Sequence, residues 1–100
     1  MKIYNLIIKE EARCEIIDTY QWYEDKQEYL GDRFIDVLDD CFFRIKTRPS
    51  NFPKKLNNMR QLTIKEFPYI IIFEVENDSI IVYAVFNTNR KPENWKKRNS

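Results

Sequence analysis

The sequence predicts an α+β fold in which a helical hairpin packs on a mainly antiparallel sheet. Three observations predict it: apolar residues alternate near the start of the chain, recur at helical spacing over about 10–48, and fill strand-like runs in the second half. Helices that lie between the strands of such a sheet form one layer on it, with one core between. The predicted order is β-α-α-β-β-β. One hundred residues suit a single domain, 1–100.

The first strand and the first helix follow from two different periods. Apolar residues alternate over about 2–8, which predicts a strand. The helix is predicted from Glu10 to about Glu28, and its acidic first turn complements the helix dipole. Its apolar positions at helical spacing are Ala12, Ile16, Ile17, Tyr20 and Tyr23.

The second helix completes the hairpin. Leu30 and Gly31 predict a tight break, and Asp32 is a candidate N-cap. The helix is predicted to end before Pro49, because a proline disfavours helical backbone in the residue before it. Its apolar stripe consists of Phe34, Val37, Leu38, Cys41, Phe42 and Ile45.

The second half of the chain predicts a loop and three strands. Residues 49–58 have the composition of a loop. Strands are predicted over about 59–66, 69–76 and 79–87, with a short hairpin turn between the last two. The last strand is almost continuously apolar. This pattern indicates either a central strand that is buried on both faces or a face that awaits a partner.

Composition excludes several classes of function. The chain contains no histidine, so histidine triads, histidine general bases and histidine-containing zinc sites are excluded. Its single glycine cannot form a glycine-rich phosphate loop. The two cysteines, Cys14 and Cys41, have no metal-ligand spacing, and we expect both to be buried thiols in a reducing cytoplasm. We find no signal peptide, no membrane span and no cofactor motif, and expect a cytoplasmic location.

Charge divides the chain into an acidic and a basic part. Residues 1–40 hold five Lys/Arg against eleven Asp/Glu, a net −6, and residues 41–100 hold twelve against five, a net +7. The split indicates either a basic working surface or two solvated faces. The tail, 88–100, is basic. The residues that would form the basic surface are Lys54, Lys55, Arg60 and Lys65, together with Arg90, Lys91, Lys96, Lys97 and Arg98 of the tail.

Two arginines are candidates for phosphate chemistry. Arg60 begins one predicted strand and Arg90 follows another, so the two could converge and stabilise a phosphodiester transition state. The alternative is that each pairs with a surface carboxylate such as Glu66 or Glu93.

Aromatic residues admit two interpretations as well. Trp95 and Phe86 flank Arg90, which would suit base stacking, but a tail tryptophan more often packs back on a sheet. Trp22 and Tyr23 are expected to form a core contact with one partly exposed ring.

An ordered set of motifs resembles one family. Arg60 with Phe67-Pro68-Tyr69 resembles the Arg…Phe-Pro-Tyr strand pair of ParE-type toxins. Tyr20–Glu24 followed by Leu30–Phe34 is similar to the family's helix-hairpin motifs. The final strand followed by Asn89–Pro92 and Trp95 resembles its Arg-x-Pro-x-x-Trp tail. We therefore identify a resemblance to the RelE/ParE toxin superfamily, closer to the ParE branch, over almost the whole chain.

The resemblance implies a type II toxin with a cognate antitoxin. ParE toxins are associated with inhibition of DNA gyrase, and RelE toxins with ribosome-dependent mRNA cleavage. By position, Arg60, Lys65 and Arg90 would be the catalytic residues of a nuclease. Asn87 stands where many relatives carry histidine, which argues against nuclease activity.

Three hypotheses remain open at this point: a gyrase inhibitor that acts by binding, an mRNA endonuclease, and an inactive or repurposed antitoxin-binding module. Only the second would be an enzyme. Toxin–antitoxin hetero-oligomers are compatible with all three. Candidate contacts with the target or with nucleic acid are Lys54, Lys55, Asn87, Arg90, Trp95 and Arg98.

Overall fold

Two helices cover one face of a five-stranded sheet in the computed structural model, which describes residues 2–89. The sheet has the order β1-β5-β4-β3-β2; β1 is parallel to β5, and the other neighbours are antiparallel. The predicted fold class is confirmed. The elements are β1 (Asn5–Ile8), α1 (Glu10–Lys26), α2 (Leu30–Thr47), β2 (Lys54–Leu56), β3 (Met59–Thr63), β4 (Tyr69–Glu76) and β5 (Ser79–Asn87).

The main core lies between the helices and one face of the sheet. Each large side chain buried there stabilises the fold by about 1.5–3 kcal/mol relative to exposure. Helix α2 contributes most of the helical side, as its apolar stripe predicts. Fully buried members of this core are Phe34, Leu38, Ile45, Leu62, Ile71, Phe73, Ile80, Val82 and Val85.

The opposite face of the sheet is also buried along β4 and β5. Ile72, Ala84 and Phe86 are at most 2% exposed and belong to a second apolar cluster. A β-bulge shifts the pairing of β5 with β4 after Val82. A bulge interrupts the alternation of side chains between the two faces. The continuous apolar run of β5 therefore reflects a central strand with two buried faces. This confirms the first of the two alternatives predicted for the last strand. The alternative of a face that awaits a partner is wrong for these three positions.

The turn between the helices differs from the prediction. The residue with left-handed backbone is Tyr29, with φ 68°, so α2 begins at Leu30 and Gly31 lies inside it. Asp32 is in the first turn and does not cap the helix. Instead, the Glu24 carboxylate of α1 accepts the backbone N–H groups of Gly31 (2.8 Å) and Asp32 (3.2 Å). A side chain from the neighbouring helix therefore satisfies donors that a helix start leaves unpaired.

The predicted loop 49–58 contains a strand. After a 3₁₀ turn at Pro49–Asn51, β2 pairs with β3 through a two-residue turn, in which Asn57 has a φ of 52°. The prediction missed this strand because it has three residues, two of them exposed lysines. The two-residue turn at Asn77 and Asp78, in contrast, is confirmed.

The two cysteines differ in exposure, and neither of the two described helices has the character of a membrane span. Cys41 is buried, but Cys14 is exposed, so the expectation of two buried thiols is wrong for Cys14. Within residues 2–89, neither helix combines the length and the apolar character that crossing a membrane would require.

Candidate functional site

The predicted basic residues do not form one group within the described residues. Arg60 lies in β3, half-buried, and Lys65 is exposed in the turn that follows. Lys54 and Lys55 are exposed on β2 at the edge of the sheet. Asn87 is the last residue of β5. Arg90, Trp95 and Arg98 lie outside the described residues, as do Lys91, Lys96 and Lys97.

Arg60 and Asn87 lie toward opposite ends of the sheet. Arg60 pairs with Phe73 of β4, and Asn87 pairs with Tyr69, four residues earlier on the same strand. With a rise of ~3.3 Å per residue and strands ~4.8 Å apart, their Cα atoms are roughly 16 Å apart. The convergence of Arg60 with Arg90 stays a prediction, since Arg90 is not described.

The Arg60 guanidinium has a structural partner. Its Nη1 donates a hydrogen bond to the backbone carbonyl of Phe52 (2.7 Å). The Phe52 ring packs edge-on against Phe73, with centroids 6.0 Å apart, and the Arg44 guanidinium lies 5.7 Å from the Phe52 ring centroid. Arg60 therefore fastens the segment between α2 and β2 onto the sheet.

The proposed pairing of Arg60 with Glu66 is wrong. Glu66 instead forms a two-pronged ion pair with Arg33 of α2, at 2.6 Å from Nη2 and 3.0 Å from Nε. The pair raises the pKa of the Arg33 guanidinium through the hydrogen bond with Glu66 and through its charge. Both side chains are exposed, so the pair orients the turn between β3 and β4 more than it stabilises the fold.

A cleft of about 360 Å³ opens at the Asn87 end of the sheet, where α1 crosses the ends of β4 and β5. A smaller depression of about 80 Å³ adjoins it and adds Glu15 and Val85 to the lining. We call the two together the Asn87 cleft. The larger part is lined by Asp18, Thr19, Trp22, Tyr23, Pro68, Tyr69, Asn87 and Asn89.

Hydrogen bonds hold the floor of the Asn87 cleft. The Asn87 side-chain amide donates to the Tyr69 hydroxyl (3.3 Å), and the backbone N–H of Asn89 donates to Asn87 Oδ1 (2.8 Å). The Tyr69 ring also packs edge-on against Tyr23, with centroids 6.3 Å apart. Burial raises the pKa of the Tyr23 hydroxyl, and Tyr69 raises it further, so Tyr23 stays protonated at neutral pH.

Helix α1 is positioned over this cleft by one hydrogen bond and an aromatic cluster. Glu15 Oε1 accepts the backbone N–H of Val85 (3.0 Å), just beyond the bulge in β5. Tyr23 packs edge-on against Phe67 and tilted against Phe34, with centroids 4.9 and 5.7 Å apart. These contacts place the polar residues of α1 at the mouth of the cleft.

The aromatic predictions are partly confirmed. Tyr23 is 9% exposed and Trp22 is 56% exposed, as expected for a core contact with one open ring. Phe86 is 2% exposed, so its ring is not available for base stacking. The role of Trp95 lies outside the described residues.

The sequence interpretation missed Thr19 and Asp18. Thr19 is 6% exposed and continues the buried face of α1 formed by Ala12, Ile16 and Tyr23. A threonine on that face was the available signal, because buried hydroxyls require a partner. Within residues 2–89, neither the Thr19 hydroxyl nor the Asp18 carboxylate has a side-chain hydrogen bond or an ion pair.

The described residues offer no metal centre, since no group of three or more acidic, cysteine or histidine side chains converges among them. The Asn87 cleft is instead lined by residues that carry hydroxyls, two side-chain amides and carboxylate oxygens. Such groups suit recognition through hydrogen bonds.

These features define a small α+β protein with two helices on one face of a five-stranded sheet and a polar cleft at one end. A solved structure described as the chromosomal ParDE TA system from P. aeruginosa is similar, with a TM-score of 0.75 over 85% of this chain and 96% of that chain. The two sequences are 13% identical, so the likeness concerns the fold alone. A search of curated proteins found no match.

The family follows from the sequence comparison. The family model described as ParE toxin of type II toxin-antitoxin system, parDE, matches residues 6–92. This chain belongs to the ParE toxin family of type II toxin–antitoxin systems. The predicted superfamily and its ParE branch are therefore confirmed.

Proposed function

We propose that this type II toxin inhibits DNA gyrase by binding it, without covalent chemistry of its own, and that a cognate antitoxin neutralises it in the cytoplasm. Membership of the ParE family is the observation that carries the proposal. Binding, unlike catalysis, needs no group with a titration near neutral pH, and the chain has no histidine.

The position of Arg60 supports binding over RNA cleavage. A nuclease would require cationic groups that converge on one phosphate. Arg60 donates to the Phe52 carbonyl and lies toward the end of the sheet away from Asn87. Lys65 borders a different depression, beside Arg33 and Asp36 of α2.

An antitoxin would have exposed apolar positions to cover. Ile3, just before the edge strand β1, is 57% exposed, and Ile7, on that strand, is 47% exposed. Phe43 of α2 is 55% exposed. Covering such side chains is favourable in proportion to the apolar area removed from water. Their separation on different elements is compatible with an extended segment that wraps the toxin.

Pulse labelling tests the target. After induction of the chain alone in bacteria, DNA synthesis should fall before protein synthesis does. The double variant Arg60→Ala/Arg90→Ala, shown by thermal melting to be folded, should still arrest DNA synthesis. Early loss of protein synthesis, with mRNA cleavage that the folded double variant no longer performs, would instead support the RelE-like nuclease. Absence of growth arrest from the unmodified chain would support an inactive antitoxin-binding module.

A further inference from the structure

The Asn87 cleft presents several hydrogen-bond acceptors to a ligand. The Asp18 carboxylate lies at its mouth and accepts bonds only, and the Thr19 hydroxyl supplies acceptor lone pairs beside it. Asn87 Oδ1 accepts one bond from Asn89 and has a second lone pair. No lysine or arginine is among the described residues that line the cleft.

Thr19 presents its hydroxyl to the cleft from the buried face of α1. Its side chain is buried to more than nine-tenths and borders both parts of the cleft. Within the described chain it has no side-chain hydrogen bond. No buried side-chain oxygen or nitrogen of the described residues lacks a partner, so the Thr19 hydroxyl oxygen is accessible from the cleft. A donor that enters the cleft can therefore hydrogen-bond to it.

We propose that the Asn87 cleft binds the guanidinium group of an arginine on a partner protein. A guanidinium presents five N–H donors and a positive charge, which match the Asp18 carboxylate and the Thr19 hydroxyl. The flat Trp22 ring forms one wall of the cleft and already has a cation, the Lys26 ammonium, 4.7 Å from its centroid. An arginine stem could pack against this wall while its head meets Asp18.

Other ligand classes fit less well. Phosphate and carboxylate ligands would meet the Asp18 charge with no compensating cation among the described lining residues. A divalent cation would require more carboxylate ligands than the described residues bring together. The volume, about 360 Å³, accommodates a side chain and excludes a folded element.

The inference rests on the proposed function only in that it supposes a protein partner. It assigns to a cleft the recognition of one chemical group. Binding of a free arginine derivative tests the cleft without any toxicity measurement, so failure of the gyrase proposal would leave this result unaffected.

The experiment titrates the isotope-labelled full chain with N-acetyl-arginine methylamide and follows backbone amide shifts. Saturable shifts are expected at Thr19, Tyr69 and Asn87. The same titration with N-acetyl-citrulline methylamide, which has the same shape without the charge, should produce no saturable shifts. Equal binding of both probes, or shifts spread over the surface, would overturn the proposal.

Variants locate the binding within the cleft. Asp18→Asn should weaken binding by about tenfold or more, because a charge-assisted pair is lost. Asp25→Asn, the matched change on the same helix outside the cleft, should alter it by less than about twofold. Thr19→Val, which removes the hydroxyl, should weaken binding of the arginine probe. Thr19→Ser, which keeps the hydroxyl, should bind the probe as the unmodified chain does. Unchanged binding in folded Asp18→Asn would contradict the assignment.

The chain contains an arginine close in sequence to the cleft, Arg90, next to Asn89. Arg90→Ala separates this source from a partner's arginine. Unchanged affinity for the probe supports a partner. A rise of about tenfold would mean that the chain fills its own cleft, which overturns the partner proposal.

Discussion

Helices α1 and α2 have nearly the same length but contribute to the fold in different ways. Helix α2 buries six residues: Gly31 lies against α1, and Phe34, Leu38, Cys41, Phe42 and Ile45 belong to the main core. Helix α1 buries three, Ala12, Thr19 and Tyr23. One of the three on α1 is polar and borders the Asn87 cleft. The helix that adds less to the core therefore carries the recognition groups, because positions not needed for apolar packing can hold polar side chains.

The difference predicts that α2 is the more sensitive helix. Phe34→Ala should lower the free energy of unfolding by about 3–5 kcal/mol, since it opens a cavity within the Tyr23, Phe67 and Tyr69 rings. Phe43→Ala, on the same helix but 55% exposed, should change it by less than about 1 kcal/mol. Urea unfolding measures both. Similar losses in the two variants would mean that α2 does not carry the core as described.

The contact between the two helices gives a smaller effect. Alanine normally stabilises a helix relative to glycine by about 1 kcal/mol. At Gly31, however, a Cβ would lie 2.7 Å from the backbone oxygen of Tyr20 and 2.5 Å from Glu24 Cγ. Gly31→Ala should therefore destabilise the chain by about 1–3 kcal/mol, because α1 must move away. Thermal and urea unfolding measure this change.

A matched variant separates crowding from helix propensity. Asp39→Ala, at an exposed position of the same helix, gains propensity without crowding and should be neutral or stabilising. A stabilised Gly31→Ala would show that the hairpin adjusts freely, and the close approach of α1 and α2 would then be unimportant.

The parts of this fold that the sequence predicts well are those with a long, regular pattern of apolar residues. Helix α2 and strands β4 and β5 have long apolar patterns, and their predicted bounds agree with the structure within about two residues. The three-residue strand β2 has no such pattern, and its two lysines resemble a loop. The predicted break at Gly31 failed for another reason. Its small size serves helix packing, and left-handed backbone falls on Tyr29.

The candidate site was less predictable than the fold. Charge and the family resemblance directed attention to Arg60, Lys65 and Asn87, whereas the Asn87 cleft also contains residues up to about 70 positions away, such as Thr19. No local pattern reveals which distant residues meet. Tyr69 lies beside Asn87 because of the pairing register between β4 and β5, which only the structure shows.

The two cysteines provide the smallest and most direct comparison of the helices. Cys14 of α1 is exposed, whereas Cys41 of α2 is buried and its burial raises the pKa of the thiol. Because the thiolate is the reactive form, Cys41 should be modified much more slowly at neutral pH. Mass spectrometry after brief iodoacetamide treatment should find the label on Cys14, and on both cysteines in urea. Cys14→Ser should then remain unlabelled in the native state. Rapid labelling of Cys41 in that variant would mean that α2 opens from the sheet readily, and α2 would no longer be the better anchored of the two helices.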